Sequence, residues 1–283
     1  GLIALAEGDL KRLLAASTSS QYGLMLVALG AGAPVAALLH LIAHAAIKSS
    51  LFLGAGVFQH DRGSTGLDEL AGAGRARPAI YAGFAVAALA LVGIPPMAGF
   101  FSKDAIIAAT LAGSSVAWLA PLALAGTVLT GAYMGRALSV LWSGAAGPAR
   151  ARIPEMAVGF GVLVALAVVL GVVFGPLERL LGAETAEVGL IVPALGLGAG
   201  LSGLLLGWFI APRRLLGIVF NPARGGFTIA GGMDRLVLRP ALAVAADCER
   251  LEQLLYRSVL AFGQMNLSLG GWFRRADTEG IDG

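Results

Sequence analysis

Charge is scarce in this 283-residue sequence: Asp, Glu, Lys and Arg make up 13% of it, against about 25% in an ordinary soluble domain. One cysteine, Cys248, excludes a disulfide framework and a thiolate metal cluster, so no redox chemistry is expected of the chain itself. The net charge of +3 and a pI near 9.4 come without a basic, aromatic-interleaved patch, which argues against nucleic acid as a partner. The first residues, Gly1 to Ala6, are apolar and lack both an initiator Met and a signal-peptide layout, so the chain is expected to begin inside a longer protein.

What fills the space is apolar: hydrophobic residues are 57% of the chain and the mean hydropathy is +0.82. Forty-one glycines would weaken soluble helices, but helices packed in lipid use small residues to bring their backbones close. A span of the hydrocarbon core needs roughly 20 residues. Runs of that kind fall at about 15 to 32, 34 to 58, 78 to 112, 115 to 141, 154 to 175 and 187 to 210. Lys11, Arg12, Arg62, Arg75, Arg77, Arg136, Arg150, Arg152, Arg213 and Arg214 fall on one side of this arrangement and Arg179 on the other. That asymmetry places the first side in the cytoplasm or an organelle matrix. It holds only if the proline-containing stretch 78 to 112 crosses once.

Beyond Ala211 the character changes. Pro212, Asn221, Pro222 and Gly225-Gly226 read as a linker. From Met233 to Phe262, apolar Leu236, Val237, Val244, Leu251, Leu254, Leu255, Val259 and Phe262 recur at roughly helical spacing, with Asp234, Arg235, Glu249, Arg250, Glu252 and Arg257 on the other face. This predicts an amphipathic helix, kinked or interrupted near Pro240, lying along a membrane surface or on a neighbour's helices, or simply solvated. Arg274 to Gly283 is expected to be disordered or cut short. The fold class is therefore an all-α polytopic membrane protein with about six transmembrane helices, one broken by Pro95-Pro96, followed by an amphipathic lateral helix. The division falls at residues 1–210 for the bundle and 211–283 for linker and lateral helix.

Lysine usage is the sharpest chemical signal. The chain has seventeen arginines and three lysines, and two of the lysines, Lys48 and Lys103, lie inside predicted spans. Arginine holds its proton in proteins, whereas a desolvated lysine can load and unload one. An ionisable group at mid-membrane costs roughly 2.5–3.5 kcal/mol on insertion scales, which makes it a functional candidate. Snorkelling is a poor escape for Lys48, which lies about 12 residues, ~18 Å of helix, from His60. His40, His44 and Lys48 are spaced i, i+4, i+8 and form one polar stripe with steps of ~6 Å, which a bridging water per gap would complete. A metal site there would lack carboxylate or cysteine ligands nearby, so none is expected.

The stretch Gly93-Ile94-Pro95-Pro96-Met97-Ala98-Gly99-Phe100-Phe101-Ser102-Lys103-Asp104 stops a helix in mid-span. Such breaks line cavities in transporters because the freed backbone groups need partners. Ser102 is placed to cap the second half-helix, with Lys103 and Asp104 in its first turn, where Asp104 would favour a charged Lys103 if the two paired and loss of that pairing could release the proton. A kink serving packing alone explains the prolines but not the charged pair. Ser17-Thr18-Ser19-Ser20-Gln21 could hold water or cap a helix, and Gly196/Gly200 and Gly203/Gly207 mark close helix contacts.

These motifs resemble the antiporter-like membrane subunits of respiratory complex I, most closely the largest of them, subunit L in bacteria and its mitochondrial counterpart. The resemblance rests on Gly8-Asp9-Leu10-Lys11-Arg12, Ala16-Ser17-Thr18-Ser19-Ser20-Gln21, His40-Leu41-Ile42-Ala43-His44-Ala45-Ala46-Ile47-Lys48, Gly93 to Asp104 and Gly131-Ala132-Tyr133-Met134-Gly135-Arg136. It is specific over residues 7 to 142 and afterwards rests on topology and the closing Gly280-Ile281-Asp282-Gly283. It implies that His40, His44 and Lys48 form a central proton relay, that Lys103, with Asp104, is the outlet in the broken helix, and that the tail from about residue 226 starts a long lateral helix. It implies other membrane subunits of a multi-subunit respiratory complex as partners, together with the lipid bilayer. Quinone and NADH sites lie elsewhere in that family, so no cofactor is expected here. The family's earlier inverted half and final anchoring span are not in this sequence. The expected function is that of a proton-translocating subunit of an NADH:quinone oxidoreductase in a bacterial plasma membrane or equivalent energy-transducing membrane. Its alternatives are a subunit of a multi-subunit sodium/proton antiporter or membrane-bound hydrogenase, an ion-coupled carbon-uptake subunit, and a non-conducting scaffold.

Overall fold

The computed structural model describes residues 1–112, 116–147, 149, 154–182, 189–228 and 238–280. The described chain divides into two units, Gly1–Arg224 and Gly225–Gly283.

The first unit is a bundle of helices. A short α1 (Leu2–Ala6) is followed by α2 (Leu10–Gly30) and α3 (Pro34–Arg62), then by a single turn, α4 (Ala73–Ala76). Next come α5 (Pro78–Val92), α6 (Ala98–Ala112), α7 (Ala120–Trp142), α8 (Pro154–Val172), α9 (Phe174–Leu180) and α10 (Ile191–Phe209). Among the described residues, five stretches are long and apolar enough to cross a membrane: Leu10–Gly30, Pro34–Arg62, Ala117–Trp142, Pro154–Val172 and Ile191–Phe209. The sixth crossing is made by α5 and α6, of 15 residues each. The protein is thus an all-α, multi-pass integral membrane protein.

The broken pair crosses once. At one end, Ile80 and Phe84 of α5 join a core with Phe58, Leu70 and Leu141; at the other, Ile106 and Ile107 of α6 pack with Leu24, Met25, Ala28, Ala36 and Ala37. The cationic loops gather at the first of these ends. Lys11 Nζ donates to Gln59 Oε1 (2.6 Å), Arg62 Nη2 to the Ala71 carbonyl (3.1 Å), and Arg77 grips Asp61 through two bonds of 2.8 and 3.0 Å. Arg136 Nη1 donates to the carbonyls of Leu5 (2.8 Å) and Glu7 (2.5 Å), satisfying the end of α1. Asp9 caps α2 by accepting from the Arg12 amide (2.9 Å) and binds the Thr65 hydroxyl. Arg150 and Arg152 lie outside the described residues.

Glycine sets the closest helix contact. The buried residues of α10 are Gly196, Gly200, Gly203 and Gly207. A Cβ on Gly203 or Gly207 would run into the carbonyls of Val128 and Ala132 on α7, while Gly131 and Gly135 of α7 meet α10 backbone in return. Gly196 and Gly200 lie against Asp104 of α6 and Val92 of α5, while the predicted pair Gly203/Gly207 is matched by Gly131 and Gly135 on the facing helix. This close approach fixes α7, and with it the side chains α7 sends inward.

Beyond α10, α11 (Pro212–Leu216) and α12 (Phe220–Arg224) belong to the first unit, and Ala223 is fully buried there. Part of the predicted linker thus packs as helix. In the second unit the long helix α13 runs from Arg239 to Gly280, 42 residues and ~63 Å. Two expectations change here. Pro240 sits in the first turn, where its missing N–H has no partner to lose, so it starts the helix rather than interrupting it. Residues 274–280 are helical rather than disordered, continuing an apolar pattern through Met265, Leu269, Trp272 and Phe273. Met233, Asp234, Arg235, Leu236, Val237 and the closing Ile281-Asp282-Gly283 lie outside the described residues.

Candidate relay site

The site is assembled on α3, an uninterrupted helix whose inward stripe carries His40, His44 and Lys48, exposed by 2%, 4% and 5%. The predicted separation holds: the two imidazole centroids are 6.3 Å apart, beyond hydrogen-bonding distance. Side chains from three other helices supply direct partners beside the stripe. Lys48 turns toward α2, where its Nζ donates to Ser17 Oγ (2.6 Å) and the Leu14 carbonyl (2.9 Å). Ser17 Oγ donates to Tyr133 OH on α7 (2.7 Å). Gln21 of α2 donates from Nε2 to Tyr133 OH (3.1 Å) and Thr130 Oγ1 (3.0 Å), and its Oε1 meets His40 Nε2 at 3.1 Å. His40 Nδ1 then meets Ser102 Oγ of α6 at 2.9 Å. Ser17, Gln21, Thr130, Tyr133 and Ser102 are all fully buried.

A protein-only chain of hydrogen bonds therefore joins Lys48 to the residue next to Lys103, and it bypasses His44. That ring lies 5.9 Å from the Tyr22 ring, and its Nε2 is buried without a protein partner. Gln21, Thr130 and Tyr133 were not singled out as site residues by sequence reasoning. Gln21 stood in a weak polar run and Tyr133 in a family motif, but their contacts span more than 100 residues of chain, which no local spacing reveals.

At the break, α5 ends on Gly93, whose φ of 98° is in the left-handed region that suits a glycine cap. Ending there leaves the last α5 carbonyls without helical partners. Lys103, 3% exposed, supplies them: its Nζ donates to Leu91 (2.5 Å) and Val92 (3.2 Å). Protein covers the rest of the break. Gly99 of α6 lies against the Ala90 carbonyl, Gly171 of α8 against Pro96, and Gly200 of α10 against Val92. The freed backbone is thus enclosed by neighbouring helices, as lipid requires.

One local expectation at the break changes, and the conditional pairing of Lys103 with Asp104 is not made. Ser102 is not a cap, because α6 already begins at Ala98; its hydroxyl serves His40, with a longer contact of 3.4 Å to the Gly99 carbonyl. Asp104 forms no ion pair with Lys103. Adjacent residues on a helix point about 100° apart, so Lys103 reaches back to α5 while the Asp104 carboxylate faces α10, where a Cβ on Gly196 would sit 2.7 Å from Oδ1. Lys48, His40 and Lys103 are gathered in one polar core, with His44 beside it and Asp104 on its outer side.

The fold and this core define a class: a helical membrane protein that buries exchangeable protons on histidine and lysine around a broken helix. The comparisons specify it further. Residues 1–130 match the family described as NADH:quinone oxidoreductase/Mrp antiporter, TM. The chain is 41% identical over 138 residues to NADH-ubiquinone oxidoreductase chain 5 of Branchiostoma lanceolatum and 40% identical over 148 residues to NADH-quinone oxidoreductase subunit L of Mycobacterium tuberculosis. These alignments cover 48% and 50% of the chain and 23% of each relative. Among solved structures it is similar to one titled Structure of Mrp complex from Dietzia sp. DQ12-45-1b, with a TM-score of 0.65 and 28% identity over 87% of this chain and 29% of that one. The family match falls on the amino-terminal half of this chain, which is similar there to the membrane domain of NADH:quinone oxidoreductases and Mrp antiporters, and the aligned part is about a quarter of each relative's length.

Proposed function

We propose that this chain is part of a proton-translocating membrane subunit of an NADH:quinone oxidoreductase, and that Lys48, His40, His44 and Lys103 pass protons within it, with Asp104 at its outer side. The observation that carries this reading is the buried hydrogen-bonded chain from Lys48 through Ser17, Tyr133, Gln21 and His40 to Ser102. A packing role needs no such run of exchangeable groups in an apolar bundle, and their desolvation is a cost that packing alone does not account for. Residues 1–210 act as the partial antiporter-like bundle and 211–283 as linker and lateral helix, with the other membrane subunits of the complex as partners. The cationic end of the bundle faces the cytoplasm or matrix. Histidine and lysine hold protons well, whereas sodium is bound by oxygen ligands, which supports protons as the ion.

A second reading, a subunit of a multi-subunit sodium/proton antiporter, is favoured by the likeness to the Mrp complex structure, which extends over 87% of the chain. Proton pumping in native membrane vesicles tests the proposal. Lys48→Ala and Lys103→Ala are expected to assemble and to abolish or strongly reduce pumping that accompanies NADH oxidation. Assembled variants that pump like the unmodified protein would make this chain a scaffold. Pumping that never follows NADH oxidation but exchanges with sodium would favour the antiporter.

A further inference from the structure

The chain of contacts between Lys48 and His40 is continuous in distance but not in its capacity to pass a proton. An amine, a hydroxyl and an imidazole can each take up a proton at one position and release one from another. The Gln21 amide cannot do so readily: its nitrogen only donates and its oxygen only accepts. Passing a proton through it requires an imidic acid.

The neighbouring bonds fix which way the amide faces. Thr130 Oγ1 donates to the Gly126 carbonyl at 2.7 Å, and Tyr133 OH donates to Thr130 Oγ1 at 3.2 Å. Both hydroxyl protons are thereby used, and both oxygens turn lone pairs toward Gln21, so the amide presents its NH2 to them. Its carbonyl is left facing His40 Nε2, and that nitrogen must carry the N–H. His40 Nδ1 then offers a lone pair to the Ser102 hydroxyl.

We propose that Gln21 is a positioning residue that holds His40 in its Nε2–H tautomer and insulates it from Lys48, so that protons pass between the two only when the amide leaves Tyr133. This inference rests on the relay reading above. Gln21→Glu keeps the size of the side chain and replaces the insulator with a carboxyl that takes a proton on one oxygen and releases one from the other. Gln21→Met keeps the bulk but offers His40 only a weakly accepting sulfur in place of the amide carbonyl.

The test uses native vesicles with the complex intact, and reads the decay of an imposed pH gradient together with protons moved per NADH oxidised. Gln21→Glu is expected to speed the decay several-fold and to lower the ratio while NADH oxidation continues. Gln21→Met is expected to lose pumping with no faster decay. A merely structural Gln21 would lower assembly and pumping together in both variants and leave the leak unmoved. If Gln21→Glu does not assemble, Gln21→Met decides: normal pumping overturns the proposal, and loss of pumping with a tight membrane upholds it. If Lys48→Ala stops pumping while Gln21→Glu behaves as the unmodified protein, the insulator falls and the relay stands. If Lys48→Ala pumps normally, the relay reading falls and takes this inference with it.

Discussion

Lys48 and Lys103 are both buried amines in apolar helices, and the acceptors around them come from different sources. Lys48 sits on an unbroken helix whose own carbonyls are engaged in the helical ladder, so it borrows from α2: the Ser17 hydroxyl and a Leu14 carbonyl that Thr18 Oγ1 also uses at 3.0 Å. Lys103 lies beyond a break and meets two carbonyls that the break set free, at a helix end where backbone dipoles concentrate negative charge. One anchor is therefore built from side chains and the other from backbone. The first can be altered one residue at a time without changing the fold, whereas the second exists only because α5 stops at Gly93. Neither lysine donates a hydrogen bond to a carboxylate.

Substitutions that break this comparison should separate the two sites. Lys103→Ala is expected to have the largest effect, losing pumping and also destabilising the bundle by roughly 1–3 kcal/mol, because buried carbonyls of Leu91 and Val92 lose their side-chain donor. Lys48→Ala should stop pumping with a smaller loss of stability, since Ser17 keeps its bond to Tyr133; thermal unfolding in detergent compares the two. Next in size is Gly203→Leu, which forces α10 away from the Val128 carbonyl at a cost of about 1–3 kcal/mol. Hydrogen exchange should then rise along α7, which carries Thr130 and Tyr133 to the Lys48 side. Ser17→Ala should slow pumping only partly, because Lys48 retains the Leu14 carbonyl, and cost about 1 kcal/mol. The smallest effect is expected from Thr130→Val, which removes one acceptor of the Gln21 amide and leaves the other, Tyr133 OH; pumping should fall less than in Ser17→Ala.

The sequence alone revealed the residues whose chemistry conflicts with their surroundings. Lys48, Lys103 and the histidine stripe stood out because ionisable groups in apolar runs are expensive, and Pro95-Pro96 because proline ends a helix wherever it sits inside one. The spans followed from run length, and the single crossing of 78 to 112 from the placement of cationic loops. What the sequence did not reveal depends on rotation and distant contacts. That Lys103 and Asp104 diverge, one to α5 and the other to α10, follows from where α6 begins, and Ala98 rather than Ser102 begins it. Gln21 and Tyr133 are common residue types whose importance lies in meeting across α2 and α7. That meeting depends on the glycine seam between α7 and α10, which reads in sequence only as a contact mark.

The central claim is that Lys48 and Lys103 serve one path in series. Proton pumping with NADH oxidation and assembly monitored, in Lys48→Ala, Lys103→Ala and the double variant, tests it most directly. The account predicts that each single substitution lowers pumping to the level of the double; substantial pumping in both singles, lost only when both lysines are replaced, would contradict it.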